Sequence, residues 1–171
     1  MGLAERFLPH YTIHDYENWQ GDWELIEGVP FALASPSYEH QLVAGKIFRH
    51  ISEALDRCPE CSVVYETDWY VSEDTVVRPD MMVLCGEVKG KVYITPELIV
   101  EVVSESTEKM DERVKFELYE REGVPHYLLV YPETKRMKLY RLLEGRYVAD
   151  RDLKITLVGK CKLFLSESII P

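Results

Sequence analysis

Two acids and a lysine in the middle of the chain have the types and spacing for metal-dependent chemistry. Glu101 interrupts the apolar run "LIVEVV" at residues 98–103, and β-branched runs of this kind usually form buried strands. Burial without a partner costs ~2–7 kcal/mol even for a neutral polar group. A cation or another donor must therefore compensate Glu101.

Asp80 and Lys115 are the candidates that can share a site with Glu101. Asp80 follows Pro79 in the strand-like run "VVRPDMMVL", and Lys115 lies on the helix predicted after the strand of Glu101. Acids on the same face of adjacent strands, which lie about 4.8 Å apart, can converge on one cation. Helical periodicity directs Lys115 inward, between Leu118 and Tyr119. We expect the three charged side chains to meet.

Two carboxylates with few neighbouring His or Cys form a hard oxygen site, which suits Mg²⁺ or Mn²⁺. Such a metal activates water and stabilises charge on a phosphoryl group, and a lysine beside it orients the water or neutralises the developing charge. The alternative is a structural ion pair, in which Lys115 or Arg78 neutralises Glu101 without a metal. Spacing alone leaves both interpretations open.

The surrounding sequence predicts the elements that position these residues. A stripe at steps of four, formed by Val43, Ile47, Ile51 and Leu55, predicts a helix that enters at "SPS" (35–37) and continues through Asp56. "WELIEGVPFALAS" predicts a hairpin, and strands are predicted at "SVVYETDWYV", "TVVRPDMMVL", "LIVEVV", "PHYLLVY" and "RMKLYRL". A second helix is predicted over "DERVKFELYERE", ending at Gly123. Residues 145–171 suggest edge strands and a tail.

This order predicts an α/β fold, a mixed β-sheet flanked by helices, in a single domain over residues 1–171. The net charge is −10, from 20 basic against 30 acidic residues. Such a charge is unfavourable for non-specific binding of nucleic acid, although it allows a local basic patch. The sequence contains no run of 18 or more apolar residues, so no membrane span is predicted. The acid-bearing N-terminal sequence has no signal-peptide core, so we expect a cytoplasmic protein.

The cysteines give one incomplete motif, "CPEC" at Cys58 and Cys61. A structural zinc site needs a second such pair, but Cys85 and Cys161 are isolated in the sequence. A thioredoxin-like motif would lie between a strand and the following helix, the reverse of the order here. We therefore predict loop thiols.

Four blocks of the sequence resemble one known family. "WELIEGVPFALASPSYEHQLVAGKI", "RPDMMVL", "TPELIVEVVSEST" and "DERVKFELYEREGVPHYLLVYPE" occur in order within residues 12–135. They resemble the Uma-two family of restriction-endonuclease-like proteins, in the PD-(D/E)XK nuclease superfamily. The resemblance implies a restriction-endonuclease-like core, a Mg²⁺ or Mn²⁺ cofactor and hydrolysis of DNA phosphodiester bonds. It also implies a homodimer, since related nucleases commonly pair to cut two strands.

The resemblance assigns roles by position. Asp80 matches the motif aspartate after proline, and Glu101 matches the motif acid. The superfamily lysine would stand at position 103, where this chain has Val103, whereas the Uma-two pattern places its lysine on the next helix, as Lys115. The Val102 backbone carbonyl is the implied third metal ligand.

Several other residues keep two interpretations. Glu24 matches an acid of the family's opening block, so it either reaches the metal or has a hairpin role. His40 is either a substrate contact or a capping-turn residue. Four aromatic residues either stack on bases or pack in the core: Trp69, Tyr70, Tyr119 and Tyr127.

Two function classes follow. Asp80, Glu101 and Lys115 together favour a Mg²⁺- or Mn²⁺-dependent endonuclease acting on DNA. The net charge of −10 and Val103 in place of lysine favour a binding or assembly protein that retains the nuclease fold without activity.

Overall fold

The computed structural model describes residues 2–171, in which helices and strands follow the predicted order. The strands are β1 (Trp23–Ile26), β2 (Val29–Ala32), β3 (Cys61–Tyr65), β4 (Trp69–Ser72), β5 (Thr75–Val77), β6 (Met81–Cys85), β7 (Leu98–Val102), β8 (His126–Tyr131), β9 (Arg136–Leu143), β10 (Arg146–Asp150), β11 (Lys154–Leu157) and β12 (Cys161–Phe164). The helices are α1 (Leu3–Arg6), α2 (Ile13–Tyr16), α3 (Tyr38–Leu55) and α4 (Lys115–Arg121). A π-helical turn, Met110–Val114, leads into α4, and a 3₁₀ turn covers Glu167–Ile169.

The centre of the fold is a six-stranded sheet with the order β10–β9–β8–β7–β6–β3. β7 and β8 run parallel and are connected through α4, whereas β6–β7 and β8–β9 are antiparallel. A second sheet has the order β2–β1–β5–β4, and β11 pairs with β12. The predicted fold class, α/β with a mixed sheet flanked by helices, is confirmed.

The two faces of the six-stranded sheet bury separate apolar clusters. Alternate residues of a strand point to opposite faces, so β7 contributes Leu98, Val100 and Val102 to one cluster and Ile99 to the other. The first cluster includes the predicted stripe of α3: Val43, Ile47, Ile51 and Leu55. The second includes Leu118 and Tyr119 of α4. Glu101 therefore points to the α4 face.

Two runs that the sequence predicts as single strands are each divided between the two sheets. "SVVYETDWYV" forms β3 and β4, with a change of direction at Glu66, whose φ is 45°. "TVVRPDMMVL" forms β5 and β6, separated by residues 78–80, because Pro79 lacks the N–H that continues a strand ladder. The expectation that Asp80 lies inside a strand is therefore wrong. It lies directly before β6, where Met81 pairs with Val100, and so it remains beside Glu101.

The predicted hairpin and both predicted helices are present. β1 and β2 are joined through Glu27 and Gly28, both with positive φ, as a tight hairpin turn requires. The side chain of Ser37 accepts a hydrogen bond from the backbone N–H of His40 and caps α3, so Pro36 lies before the helix rather than in its first turn.

Residues 145–171 contribute more to the core than the predicted edge strands and tail. β10 is an edge strand as expected. β12 contacts α3, and β11 and β12 bury Ile155, Leu157 and Leu163 in the cluster that contains the α3 stripe. Of the part of the chain that the structure describes, no helix combines the length and apolar character needed to cross a membrane.

The expectation of loop thiols is wrong in this structure, because the four cysteines form two disulfides. Cys58 pairs with Cys161, and Cys61 pairs with Cys85 across the antiparallel strands β3 and β6. Cysteine connectivity depends on tertiary contacts, so it cannot be deduced from the sequence alone.

Candidate functional site

Glu101 is 3% exposed, and hydrogen bonds satisfy both oxygens of its carboxylate. Oε1 accepts from Nζ of Lys115 and from the hydroxyl of Tyr119, each at 2.9 Å. Oε2 accepts from the backbone N–H of Asp80 at 3.2 Å. The ion pair between Glu101 and Lys115 is thus present. Arg78, the other proposed partner, instead pairs with Asp22 and Asp68.

Asp80 and Glu101 are held together by reciprocal contacts between two neighbouring chain segments. The N–H of Asp80 donates to Glu101, and the N–H of Val102 donates to Oδ2 of Asp80 at 2.7 Å. Because the N–H and C=O of one residue in an extended strand point to the same side, the Val102 carbonyl also points toward Asp80. The predicted ligand set therefore lies together at one place.

Lys115 is buried between two glutamates. Its Nζ lies 2.9 Å from Oε1 of Glu24 as well as 2.9 Å from Oε1 of Glu101. Glu24 is also buried, and it accepts the N–H of Arg78 at 2.7 Å. Glu24 therefore links β1 to the segment before Asp80 and holds the lysine.

His40 contacts the exposed side of the acid pair. Its Nε2 lies 3.2 Å from Oδ2 of Asp80, and its Nδ1 lies 2.9 Å from the side-chain oxygen of Gln41. Burial lowers the pKa of His40, but Asp80 and the nearby Val102 carbonyl outweigh it, so the net shift is upward. The backbone of His40 belongs to the capping turn, while its ring faces Asp80.

An open cavity of about 380 Å³ is lined by Asp80, Glu101, Lys115 and His40, among other residues. Its ionisable walls carry five carboxylates against two permanent cations and one histidine: Asp22, Glu66, Asp80, Glu101, Asp111, Arg78, Lys115 and His40. The cavity therefore has an excess of negatively charged groups, which attracts cations and repels phosphate.

Asp111 is a buried acid of this cavity that the sequence analysis did not single out. It is 3% exposed and lies on the π-helical turn before α4, and such turns are frequent at functional sites. Burial raises its pKa to about 6, against the lowering effect of Lys115. Its position four residues before Lys115 was the available signal, because it places both side chains on one helical face.

The titration behaviour of the buried groups reflects an excess of negative charge. Burial raises the pKa of Glu101, and Asp111, Asp80 and Glu24 add to the rise while Lys115 opposes it. Burial lowers the pKa of Lys115, but Glu101, Glu24 and Asp111 raise it well above its ordinary value. The pKa of Glu101 and the pKa of Lys115 are both raised because three carboxylates surround one ammonium.

The donor set fits a hard divalent cation. Within residues 2–171, no group of three His, Cys, Asp or Glu side chains is arranged to hold a metal, so the site would combine two carboxylates with a backbone carbonyl. Mg²⁺ commonly binds through one or two carboxylates and retains several waters. A site without cysteine or a pair of histidines does not suit zinc.

The four aromatic residues considered for base stacking lie in the interior, each at most 9% exposed: Trp69, Tyr70, Tyr119 and Tyr127. The core-packing interpretation is confirmed for them. Tyr119 additionally donates a hydrogen bond to Glu101, and Tyr127 donates one to the backbone carbonyl of Asp111. Both tyrosines therefore hold acidic residues of the site from the protein interior.

Comparison with known proteins identifies the fold and the family of the chain. A crystal structure of a protein from Anabaena variabilis, described as a putative nuclease belonging to DUF820, matches with a TM-score of 0.77 at 16% identity, over 94% of this chain and 97% of that chain. This match shows the shared fold. No curated protein matches the chain. The model of the Uma2 (Uma-two) family, described as "Putative restriction endonuclease", matches residues 8–157. The chain therefore belongs to the Uma2 family.

Proposed function

We propose that the protein is a Mg²⁺- or Mn²⁺-dependent endonuclease that hydrolyses DNA phosphodiester bonds. The observation that carries this proposal is the reciprocal hydrogen bonding of Asp80 and Glu101 beside an open cavity, with Lys115 against the same carboxylate. The family and its fold are those of restriction-endonuclease-like nucleases.

Asp80, Glu101 and the Val102 carbonyl would hold the cation. When bound, the cation would lower the pKa of water and stabilise charge on the phosphate. The side chain of Asp80 is 22% exposed, so it can exchange part of its present hydrogen bonding for a ligand that enters from the cavity. His40, against the same carboxylate, would fix the orientation of Asp80.

Lys115 would act as an ammonium and not as a general base. Its raised pKa, caused by the surrounding carboxylates that outweigh burial, keeps the proton on Nζ at neutral pH. An ammonium has three N–H donors, and two are directed at Glu24 and Glu101. Because Lys115 also lines the cavity, the third donor can orient a water or a phosphate oxygen.

The excess of carboxylates makes DNA binding dependent on the cation. Phosphate is repelled from a cavity with five carboxylates against two permanent cations. A divalent cation offsets this excess and supplies a direct partner for phosphate oxygens. We therefore expect weak DNA binding in chelator and stronger binding with divalent metal.

A cleavage assay tests the proposal. Fluorescently labelled DNA, single-stranded and duplex, is incubated with the wild type in Mg²⁺, Mn²⁺ or chelator, beside Asp80→Asn and Lys115→Gln variants of confirmed fold. We expect metal-dependent cleavage that falls at least about 100-fold in each variant, since catalytic electrostatic contacts typically contribute that much. The exposed Lys109→Gln serves as the matched control and should cleave as the wild type does. Absence of cleavage in the wild type with either metal contradicts the proposal.

The competing function is a binding or assembly protein that retains the fold without activity. It is favoured by Val103 at the superfamily lysine position and by the ion pairs that already occupy Lys115. It predicts metal or DNA binding without cleavage, so the same assay separates the two functions.

Two further expectations accompany the proposal. We expect a homodimer, measurable by analytical ultracentrifugation, because related nucleases pair to cut two strands. We also expect a cytoplasmic location, which would keep the cysteines reduced. In that case the fold must hold without the Cys58–Cys161 and Cys61–Cys85 bridges, and alkylation followed by mass spectrometry measures their state.

A further inference from the structure

A second cavity opens beside the acid site, between α3 and the edge strand β3. It encloses about 290 Å³ and has mostly apolar walls. Asp80 and Glu66 line both this cavity and the acidic one, so the two are adjacent. A substrate bound at Asp80 would extend directly into the apolar cavity.

The walls of this cavity present an aromatic surface. Tyr65 is 62% exposed although it belongs to a strand, and its ring meets Phe48 edge to face, with centroids 5.1 Å apart. Phe48 fixes the orientation of the Tyr65 ring and leaves much of the ring accessible to a planar ligand. Polar groups at Gln41 and Glu66 also line the cavity, and amide and carboxylate groups can hydrogen-bond the edge of a base.

Gly45 keeps this cavity open. It lies in the interior of α3, where glycine is unfavourable compared with alanine, and it lines the cavity wall. A Cβ added at position 45 would meet no atom within 4 Å. The missing side chain is therefore not required by packing within the chain, and any larger residue at this position would occupy the ligand space.

We propose that this cavity is a nucleobase pocket, which holds one unpaired base beside the phosphate that is cleaved. The inference rests on the proposed nuclease function and specifies its substrate. A paired base stacked in a duplex cannot enter a pocket lined by Phe48 and Tyr65, whereas an unstacked base can pack on an aromatic ring. The substrate is then single-stranded DNA or DNA with an unpaired nucleotide at the cleavage site.

The apolar and aromatic walls favour a base over other occupants. A phosphate would meet no basic side chain among the residues that line this cavity. Asp80 also lines this cavity, which favours a group covalently attached to the strand at the acid site. A base one nucleotide from the bound phosphate meets both conditions.

An abasic-site scan tests the pocket. A labelled single strand is titrated by fluorescence anisotropy in Ca²⁺, which takes the same oxygen ligands, with one abasic nucleotide moved along the strand. In the wild type, we expect one abasic position to weaken binding about tenfold, as loss of one base–aromatic stack does. The fully paired duplex should bind at least about tenfold more weakly than the intact single strand.

Variants assign this effect to the pocket. Tyr65→Ala and Gly45→Leu should bind the intact strand about as weakly as the wild type binds the abasic one, with no further loss at the abasic position. Tyr65→Phe should retain the wild-type profile, and so should Tyr93→Ala, an exposed tyrosine outside the cavity. Gly45→Leu should melt at the wild-type temperature or above, because leucine favours the helix over glycine.

The outcomes separate the pocket from the nuclease proposal. A strand that binds with no sensitive abasic position, or a sensitivity that persists in Tyr65→Ala and Gly45→Leu, overturns the nucleobase pocket alone. A duplex that binds as tightly as the single strand also overturns it. No binding of any strand overturns the pocket together with the nuclease function.

Discussion

Both faces of the six-stranded sheet bury apolar clusters, but the α4 face also buries a cluster of charged side chains. On the α3 face, β7 places Leu98, Val100 and Val102 in an apolar cluster. On the α4 face, the same strand places Glu101 against Lys115, with Glu24 and Asp111 buried nearby. The α3 face follows the ordinary rule for a sheet core, and the α4 face combines apolar packing with buried charge.

This difference separates the side chains that stabilise the fold from those that we propose to bind metal. Burial of a large aliphatic side chain contributes about 1.5–3 kcal/mol, so the α3 face stabilises the fold at any pH. A buried charge cluster at best offsets its own desolvation through good geometry. The charge cluster of the α4 face therefore stabilises little by itself, in contrast to the apolar residues around it, and its hydrogen bonds are best explained by the need to hold carboxylates close to one another.

The largest effect should come from removal of Lys115, the buried ammonium of the charge cluster. Lys115→Met leaves Glu24 and Glu101 without a counter-charge, which we expect to cost about 3–5 kcal/mol of unfolding free energy at pH 8. Without the lysine, the pKa of Glu101 rises further in the folded state. The unfolded chain then binds fewer protons than the folded chain, so the loss should shrink as pH falls toward 5.

Urea unfolding at pH 5 and pH 8 measures this effect. The exposed Lys109→Met is the matched control and should change stability by no more than about 0.5 kcal/mol. Equal destabilisation of Lys115→Met at both pH values would show that the lysine contributes packing and not charge compensation.

A truncation on the α3 face should give a loss of a different kind. Ile47 is fully buried in the apolar cluster, so Ile47→Ala should cost about 2–5 kcal/mol through the lost transfer energy and the cavity left behind. No titratable group is involved, and the loss should be the same at pH 5 and pH 8 in the same urea series. A strong pH dependence would show that the two faces are coupled.

The smallest effect should be a gain in stability. Burial raises the pKa of Asp111 from 3.8 to about 6. Between pH 3.8 and pH 6, the folded state therefore keeps a proton on this carboxyl that the unfolded state has released. This acid therefore contributes stability below pH 3.8 that is lost as pH rises through 6. Asp111→Asn should stabilise the metal-free protein by about 1–3 kcal/mol above pH 7.

The pH dependence of thermal unfolding between pH 4 and pH 8 measures this gain. The exposed Asp152→Asn should follow the wild type throughout this range. A destabilised Asp111→Asn at pH 8 would show that the electrostatic attraction of Lys115 outweighs the cost of burying Asp111.

Sequence reasoning predicted the parts of the site that depend on local pattern. The stripe of α3 and the apolar run around Glu101 follow the periodicity of a helix and a strand, and the inward direction of Lys115 follows from helical spacing. The proximity of Asp80 to Glu101 followed from adjacent strands, even though Asp80 lies before β6 and not inside a strand.

Tertiary geometry decided the rest. Pro79 ends one strand and transfers the chain to another sheet, which a continuous β-rich run does not reveal. Tyr65 is accessible because β3 is an edge strand beside Gly45, whereas Tyr119 and Tyr127, equally aromatic, are buried. Asp111 is one of many acids in the sequence, and only the fold places it in the cavity.

The central claim is that Asp80 and Glu101 hold a divalent cation. Isothermal titration of Mn²⁺ into the wild type and into Glu101→Gln, at pH 7.5 and with both folds verified by circular dichroism, tests it most directly. We predict one bound Mn²⁺ per wild-type chain and at least about tenfold weaker binding in the variant, because the neutral amide removes an anionic ligand. No binding to the wild type at millimolar Mn²⁺, or equal binding to both proteins, would contradict the claim and leave Glu101 as the partner of Lys115 alone.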